Sequence, residues 1–156
     1  MRLSILAVGH RSPEWVVSGC AEYLKRMPRE LPLSVVEIKP EPRGSKTREQ
    51  LLAAEKGRLQ QALQGYQRVV VLDERGDDLT TIKLAQCLEA WMREGGDTAF
   101  IIGGADGIDP EIKQRSDAMI RLSSLTLPHA MARLVLCEQL YRAYSVVRNH
   151  PYHREG

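Results

Sequence analysis

Five short apolar runs constrain this chain more than any other feature: Arg2–Val8, Leu33–Ile38, Arg68–Leu72, Thr98–Ile102 and Ala118–Leu122. In Leu3-Ser4-Ile5-Leu6-Ala7-Val8 the apolar residues are nearly continuous rather than alternating. A strand of that kind needs cover on both faces. Helical patterns separate the runs, and strands that alternate with helices predict a parallel α/β sheet with helices packed against it.

The helix signals sit where this scheme needs them. Ser12-Pro13-Glu14 reads as an N-cap followed by proline at the first helical position, and Trp15, Val16, Cys20, Tyr23, Leu24 and Met27 follow at three- and four-residue spacing as far as Pro28. Ser45 or Thr47 caps a second helix running to about Gln64, and Thr80 or Thr81 opens a third that ends at Gly95-Gly96. A short helix begins at Pro110, and a long one runs from His129 to about Arg148, with Thr126 as its expected cap. Asp73-Glu74-Arg75-Gly76-Asp77 reads as a polar turn after the third strand. The chain shows no repeat, low-complexity tract or linker, so residues 1–156 are expected to form one α/β domain.

Composition narrows the function classes. The net charge of +2 does not by itself imply nucleic acid. Arg121, Arg133, Arg142, Arg148 and Arg154 nevertheless face a single carboxylate, Glu138, over the last part of the chain, a candidate basic surface for phosphate. Cys20, Cys87 and Cys137 are scattered and odd in number, which reads as reduced thiols in core positions and not as a metal site or a disulfide framework. The opening residues lack a secretory pattern and no apolar run reaches membrane-spanning length, so a cytoplasmic protein without membrane or metal is expected.

In open α/β sheets ligands bind beyond the carboxyl ends of the strands. Three such ends stand out: Leu72–Gly76, Gly103–Gly107 and Leu122–Pro128. Gly103-Gly104 would let a ligand approach the backbone, or would serve a turn that requires positive φ. Leu122-Ser123-Ser124-Leu125-Thr126-Leu127 mixes hydroxyls with leucines, as suits a loop wrapped around a flat apolar ring. Neither G-x-G-x-x-G nor G-x-x-x-x-G-K-[ST] is present, which removes the best support for dinucleotide or ATP chemistry. The tail Asn149-His150-Pro151-Tyr152-His153-Arg154 concentrates aromatic and basic groups; frayed it does nothing, ordered it can stack on a base.

A wider set of residues points further. The opening Leu-Ala-Val-Gly, Glu22-Tyr23, Val71-Leu72-Asp73, Ile102-Gly103-Gly104, Thr126-Leu127-Pro128-His129, Glu138-Gln139-Leu140-Tyr141-Arg142-Ala143 and His150-Pro151-Tyr152-His153 together resemble the ribosomal RNA large-subunit methyltransferase H family, of the SPOUT class. The resemblance covers nearly the whole chain. It implies a C-terminal trefoil knot, a homodimer packed through the long last helix, and S-adenosylmethionine as cofactor. It also implies that Leu72, Gly103, Leu122, Ser123, Ser124, Leu125, Thr126 and Leu127 hold that cofactor. The implied reaction is methylation of N3 of a pseudouridine in large-subunit ribosomal RNA, on the assembled ribosome.

N3 carries a proton that must leave, and the candidates to assist are His129, Arg142, Tyr152 and His153, as general base or by stabilising the anionic ring. Arg142 stays protonated and would hold phosphate or a ring oxygen instead. Competing readings are a SPOUT enzyme acting on transfer RNA, a catalytically silent ribosome-binding factor, and a generic nucleotide-binding module.

Overall fold

The apolar runs become five parallel strands, β1 (Leu3–Val8), β2 (Leu33–Ile38), β3 (Arg68–Asp78), β4 (Thr98–Ile102) and β5 (Ala118–Arg121), in the order β2-β1-β4-β3-β5. These come from a computed structural model that describes residues 1–154; Glu155 and Gly156, the end of the expected 1–156 domain, lie outside the described residues. The helices are α1 (Glu14–Arg26), α2 (Arg48–Ala62), α3 (Thr81–Glu94), α4 (Pro110–Arg115) and α5 (His129–Val147), followed by a 3-10 turn at Pro151–Arg154.

The strand pattern explains the layering. In β1, Leu3, Ile5 and Ala7 face one core and Leu6 and Val8 the other; in β4, Phe100 and Ile102 oppose Ala99 and Ile101. The first core is closed by Val16 and Cys20 of α1, Leu84 and Leu88 of α3, and Leu136, Cys137 and Leu140 of α5. Leu59 of α2 and Ile112 of α4 close the second. Because side chains alternate across a strand, two covered faces require the unbroken apolar runs seen in the sequence.

Three local expectations change. Ser12 does not cap α1: Pro13 occupies that position without a side-chain bond, and the Ser12 hydroxyl is buried against Arg133. Thr126 does not cap α5, whose N-cap is Pro128. The polar residues Asp73–Asp77 do not form a simple turn. They leave the sheet after Leu72 and return to it, so that Leu72 and Asp77 both pair with Ile120 of β5. Gly76 makes that return possible, since a Cβ there would lie 2.5–2.7 Å from the Ile120 backbone. Thr47 and Thr80, by contrast, cap α2 and α3, Thr47 within a capping box with Gln50.

Candidate functional site

The carboxyl ends of β3, β4 and β5 converge on one open cleft of about 990 Å³. Leu72, Gly103 and all of Leu122–Leu127 line it, together with His129 from the first turn of α5. The three strand ends chosen from the sequence are therefore walls of one space. Its size falls within the range of small-molecule sites. Leu72, Ile102, Leu122 and Leu127 supply apolar surface, Ser123, Ser124 and Thr126 hydroxyls, and Asp73 a carboxylate.

Gly103 is required for packing. A Cβ on it would lie 2.6 Å from Ile108 Cγ1 and 2.7 Å from the Gly107 carbonyl oxygen, so the loop closes back on itself at this point. That loop is tied down by two arginines. Asp106, to which the sequence assigned no role, accepts Arg43 Nη2 at 2.7 and 2.6 Å, and its carbonyl accepts Arg48 Nη2 at 2.8 Å. Asp73 meets Lys113 Nζ at 2.6 Å and the Arg75 amide at 2.8 Å. Burial pushes the Asp73 carboxyl up, but Lys113 and the Arg75 amide together outweigh it and hold the group below its ordinary range.

His129 is the one proposed catalytic side chain that the fold brings into this cleft. Its Nε2 hydrogen-bonds the Gly103 carbonyl oxygen, which can only accept, so that nitrogen carries the proton. Burial, and secondarily the nearby Arg133, lower the imidazole pKa and keep the ring neutral.

Arg142, Tyr152 and His153 lie elsewhere. From His129 to Arg142 the helix rises roughly 20 Å, at about 1.5 Å per residue. There the tail is ordered in a cluster with α1 and α5, not frayed. The Tyr152 hydroxyl donates to Glu138 Oε2 at 2.9 Å and lies 3.3 Å from the Tyr23 hydroxyl. Arg142 Nε donates to the same Glu138 oxygen at 2.9 Å, and its guanidinium lies over the Tyr152 ring. Burial first, then the Tyr23 hydroxyl and the Glu138 carboxylate, push the Tyr152 phenol well up, so it remains a proton donor at neutral pH. His153 Nδ1 is buried without a hydrogen-bond partner among the described residues.

The arginine-rich end of the sequence is mostly spent internally. Arg133 is buried, Arg142 pairs with Glu138, and Arg121 pairs with Asp78 at 3.0 Å. Sequence reasoning missed the Arg43–Asp106 pair and gave Arg133 and Ser12 other roles, a basic surface and a helix cap. Each is joined to its partners only by folding.

Comparison with known proteins agrees with this architecture. A family model described as "Predicted SPOUT methyltransferase" matches residues 1–153. The chain is 71% identical over 156 residues to the ribosomal RNA large subunit methyltransferase H of Dechloromonas aromatica (strain RCB), covering 100% of both. It is 57% identical over 155 residues to the protein of the same name from Burkholderia ambifaria (strain MC40-6), covering 99% of each. Among solved structures, a probable methyltransferase from Bordetella pertussis Tohama I superposes with a TM-score of 0.58 at 16% identity, covering 90% of this chain and 93% of that one. A probable methylase family protein from Haemophilus influenzae Rd KW20 gives 0.57 at 17%, covering 97% and 69%; these two support the fold alone. With a family model spanning almost its whole length and a full-length relative at that identity, the chain belongs to the SPOUT methyltransferases, in the ribosomal RNA large subunit methyltransferase H family.

Proposed function

We propose that this protein methylates N3 of a pseudouridine in large-subunit ribosomal RNA, using S-adenosylmethionine, in the cytoplasm and on the assembled ribosome. The observation that carries the reading is the convergence of Leu72, Gly103 and Leu122–Leu127 on one cleft in a chain of this family. The cleft fits the cofactor chemically. Apolar walls suit the adenine, hydroxyls and backbone suit its edges and the ribose, and Asp73 and Lys113 offer opposite charges to the amino-acid end. Bound there, the cofactor supplies a methyl group already activated on sulfonium. The protein's own task is then to exclude water, orient the base nitrogen and accommodate its proton.

Along α5 the level of Glu138, where Arg142 and Tyr152 meet, lies roughly 14 Å beyond His129, at about 1.5 Å per residue, which favours a site shared between subunits. The pairing surface we propose is the outer side of α1 and α5, where Gly19, Tyr23, Met131, Leu134 and Val135 line an apolar hollow. In such a homodimer Arg142, Tyr152 and His153 of one subunit approach the partner's cleft. Arg142 then holds phosphate or the ring oxygen, Tyr152 donates to the anionic ring, and His153 is the proton acceptor among these groups. We also propose that the return of β3 onto Ile120 is one crossing of the family's trefoil knot.

The test is tritiated-methyl transfer to intact ribosomes, isolated large subunits and bulk transfer RNA. Label in large-subunit RNA, mapped to a pseudouridine, is expected. Label in transfer RNA overturns the substrate, and no label with no cofactor binding by calorimetry leaves a silent ribosome-binding factor.

A further inference from the structure

Arg133 is the least explained side chain in the protein. It is 3% exposed, yet its guanidinium is poorly paired. Nη1 donates to Ser12 Oγ at 3.1 Å, Nη2 donates to the His10 carbonyl at 3.3 Å, and Glu37, itself 44% exposed at the side chain, stands 3.5 Å away. Nε is buried with no hydrogen-bond partner. A buried charge with long contacts and an orphan N–H is a poor way to stabilise a fold, and an unbranched apolar side chain would fill the same space at less cost.

Its surroundings show what it faces. Arg133 lies one helical turn after His129, and both side chains press against Gly9 at the end of β1. A Cβ on Gly9 would lie 3.2 Å from Arg133 Nη2 and 3.5 Å from His129 Nδ1. The unprotonated Nδ1 thus borders the same space beside Gly9 as the Arg133 guanidinium, while Nε2–H meets Gly103. A cation beside Nδ1 opposes protonation there and favours the tautomer that donates from Nε2.

We infer that Arg133 is a positioning residue that holds His129 as a neutral Nε2–H donor to the Gly103 carbonyl, fixing the wall of the cofactor cleft, and that His129 is not the proton acceptor of the reaction. Through Ser12 and the His10 carbonyl, Arg133 also ties the β1–α1 connection to the same unit, and through Glu37 it meets the end of β2. The inference rests on the cofactor reading of the cleft. The charged group that acts on the imidazole is Arg133 from α5, and Glu37 from β2 faces Arg133 in turn.

The test uses the full chain, labelled with ¹⁵N-histidine and free of cofactor. Long-range ¹H–¹⁵N correlations give the tautomer and titration of His129, assigned by its loss in His129→Gln. The expected result is an Nε2–H ring that stays neutral below the ordinary imidazole range. Arg133→Met is expected to let the ring protonate at higher pH. Because Arg133→Met can fail to fold, the ring itself is varied as well. His129→Gln keeps a donor at similar reach and is expected to bind S-adenosylmethionine clearly more tightly than the donor-less variant and to transfer methyl once the cofactor is bound. His129→Phe loses the donor and is expected to weaken calorimetric affinity about tenfold, the scale of one buried hydrogen bond. Wild-type protein that binds no S-adenosylmethionine overturns the cofactor reading and this inference together. Wild-type binding combined with an Nδ1–H ring overturns the inference alone, as does a His129→Gln protein that binds cofactor but transfers no methyl.

Discussion

Gly76→Ala and Gly57→Ala are the same chemical change, and the structure assigns them opposite signs. At Gly76 the new Cβ would stand 2.5, 2.6 and 2.7 Å from three backbone atoms of Ile120. Carbon contacts are comfortable at about 3.5–4.0 Å, so each must open by about 1 Å. No rotamer relieves this, because the obstacle is main chain, held on its far side by the β3–β5 pairing. Overpacking of this kind costs about 1–3 kcal/mol. For a domain of this size each kcal/mol moves Tm by about 2–4 °C, so a fall of several degrees is expected. Gly57 lies exposed within α2 with nothing within 4 Å of its would-be Cβ. There alanine removes unfolded-state freedom and is expected to add about 0.5–1 kcal/mol.

Calorimetric melting of the two single variants reads both signs. The Gly76 variant should also lose affinity for S-adenosylmethionine, because β5 leads directly into Leu122–Leu127. A Gly76→Ala protein that melts with wild type, or two variants that shift the same way, would refute the claim that the β3 return is pressed against Ile120.

Three further outcomes follow from the polar contacts. Lys113→Met is expected to raise the Asp73 pKa from its depressed position, since burial is then opposed only by the Arg75 amide and the Arg75 charge. In wild type the folded carboxyl is depressed, so its stabilisation is present above the unfolded pKa of about 3.9 and lost as pH falls through the folded value. The stability gap between wild type and variant, followed by urea melts against pH, should therefore be widest near neutrality and close in acid. Tyr152→Phe removes a donor from Glu138 and should lower stability by only about 1 kcal/mol, while slowing single-turnover methyl transfer by at least about tenfold if the tail serves a partner's cleft. Asp106→Ala releases Arg43, and amide exchange should quicken at Ala105–Gly107 with α1 unchanged.

The layered sheet was legible because one physical rule, continuous apolar runs for strands covered on both faces, holds throughout β1 and β4, and the runs that mark β2, β3 and β5 alternate with helices in the same way. β2 and β4 fall on the residues expected, and the cap at Thr47 follows from its own sequence neighbourhood. The cleft was legible for a related reason: parallel strands place all their carboxyl ends together, so any three unusual connections there become neighbours. What escaped was set by contacts between distant residues. Ser12 has every local mark of an N-cap, but a guanidinium from α5 claims its hydroxyl. Asp73–Asp77 has the composition of a turn, yet pairing with Ile120 extends the strand through it. The separation of Arg142 and Tyr152 from the cleft depends on the direction in which α5 leaves the sheet, which no local pattern encodes.

The fate of the arginines bears on how the substrate is met. Read along the sequence, the last part of the chain looks like a phosphate-binding tract. In the fold Arg133 is interior, Arg121 and Arg142 are paired with carboxylates, Arg154 reaches Asn149, and Arg148 lies over the Tyr144 ring without an ion pair among the described residues. Around the cleft Arg43 and Arg48 hold Asp106, and Lys113 holds Asp73. Arg75 remains there without an ion pair among the described residues. Each phosphate contact contributes about 0.9 to the slope of log affinity against log salt on a duplex, and about 0.7 on single strands. Few uncommitted cations therefore mean a shallow slope, and little of the affinity for RNA can be non-specific attraction to its backbone. Shape and base contacts on an assembled surface must supply the rest. Binding to protein-free large-subunit RNA, followed by fluorescence from low to physiological salt, should be weak with a slope of about −3 or shallower, and methylation of that RNA should fall far below that of intact ribosomes. A steep slope, or equal methylation of the two, would mean that the paired arginines exchange their carboxylates for phosphate, and that the ion pairs around the cleft are an unbound arrangement which the substrate replaces.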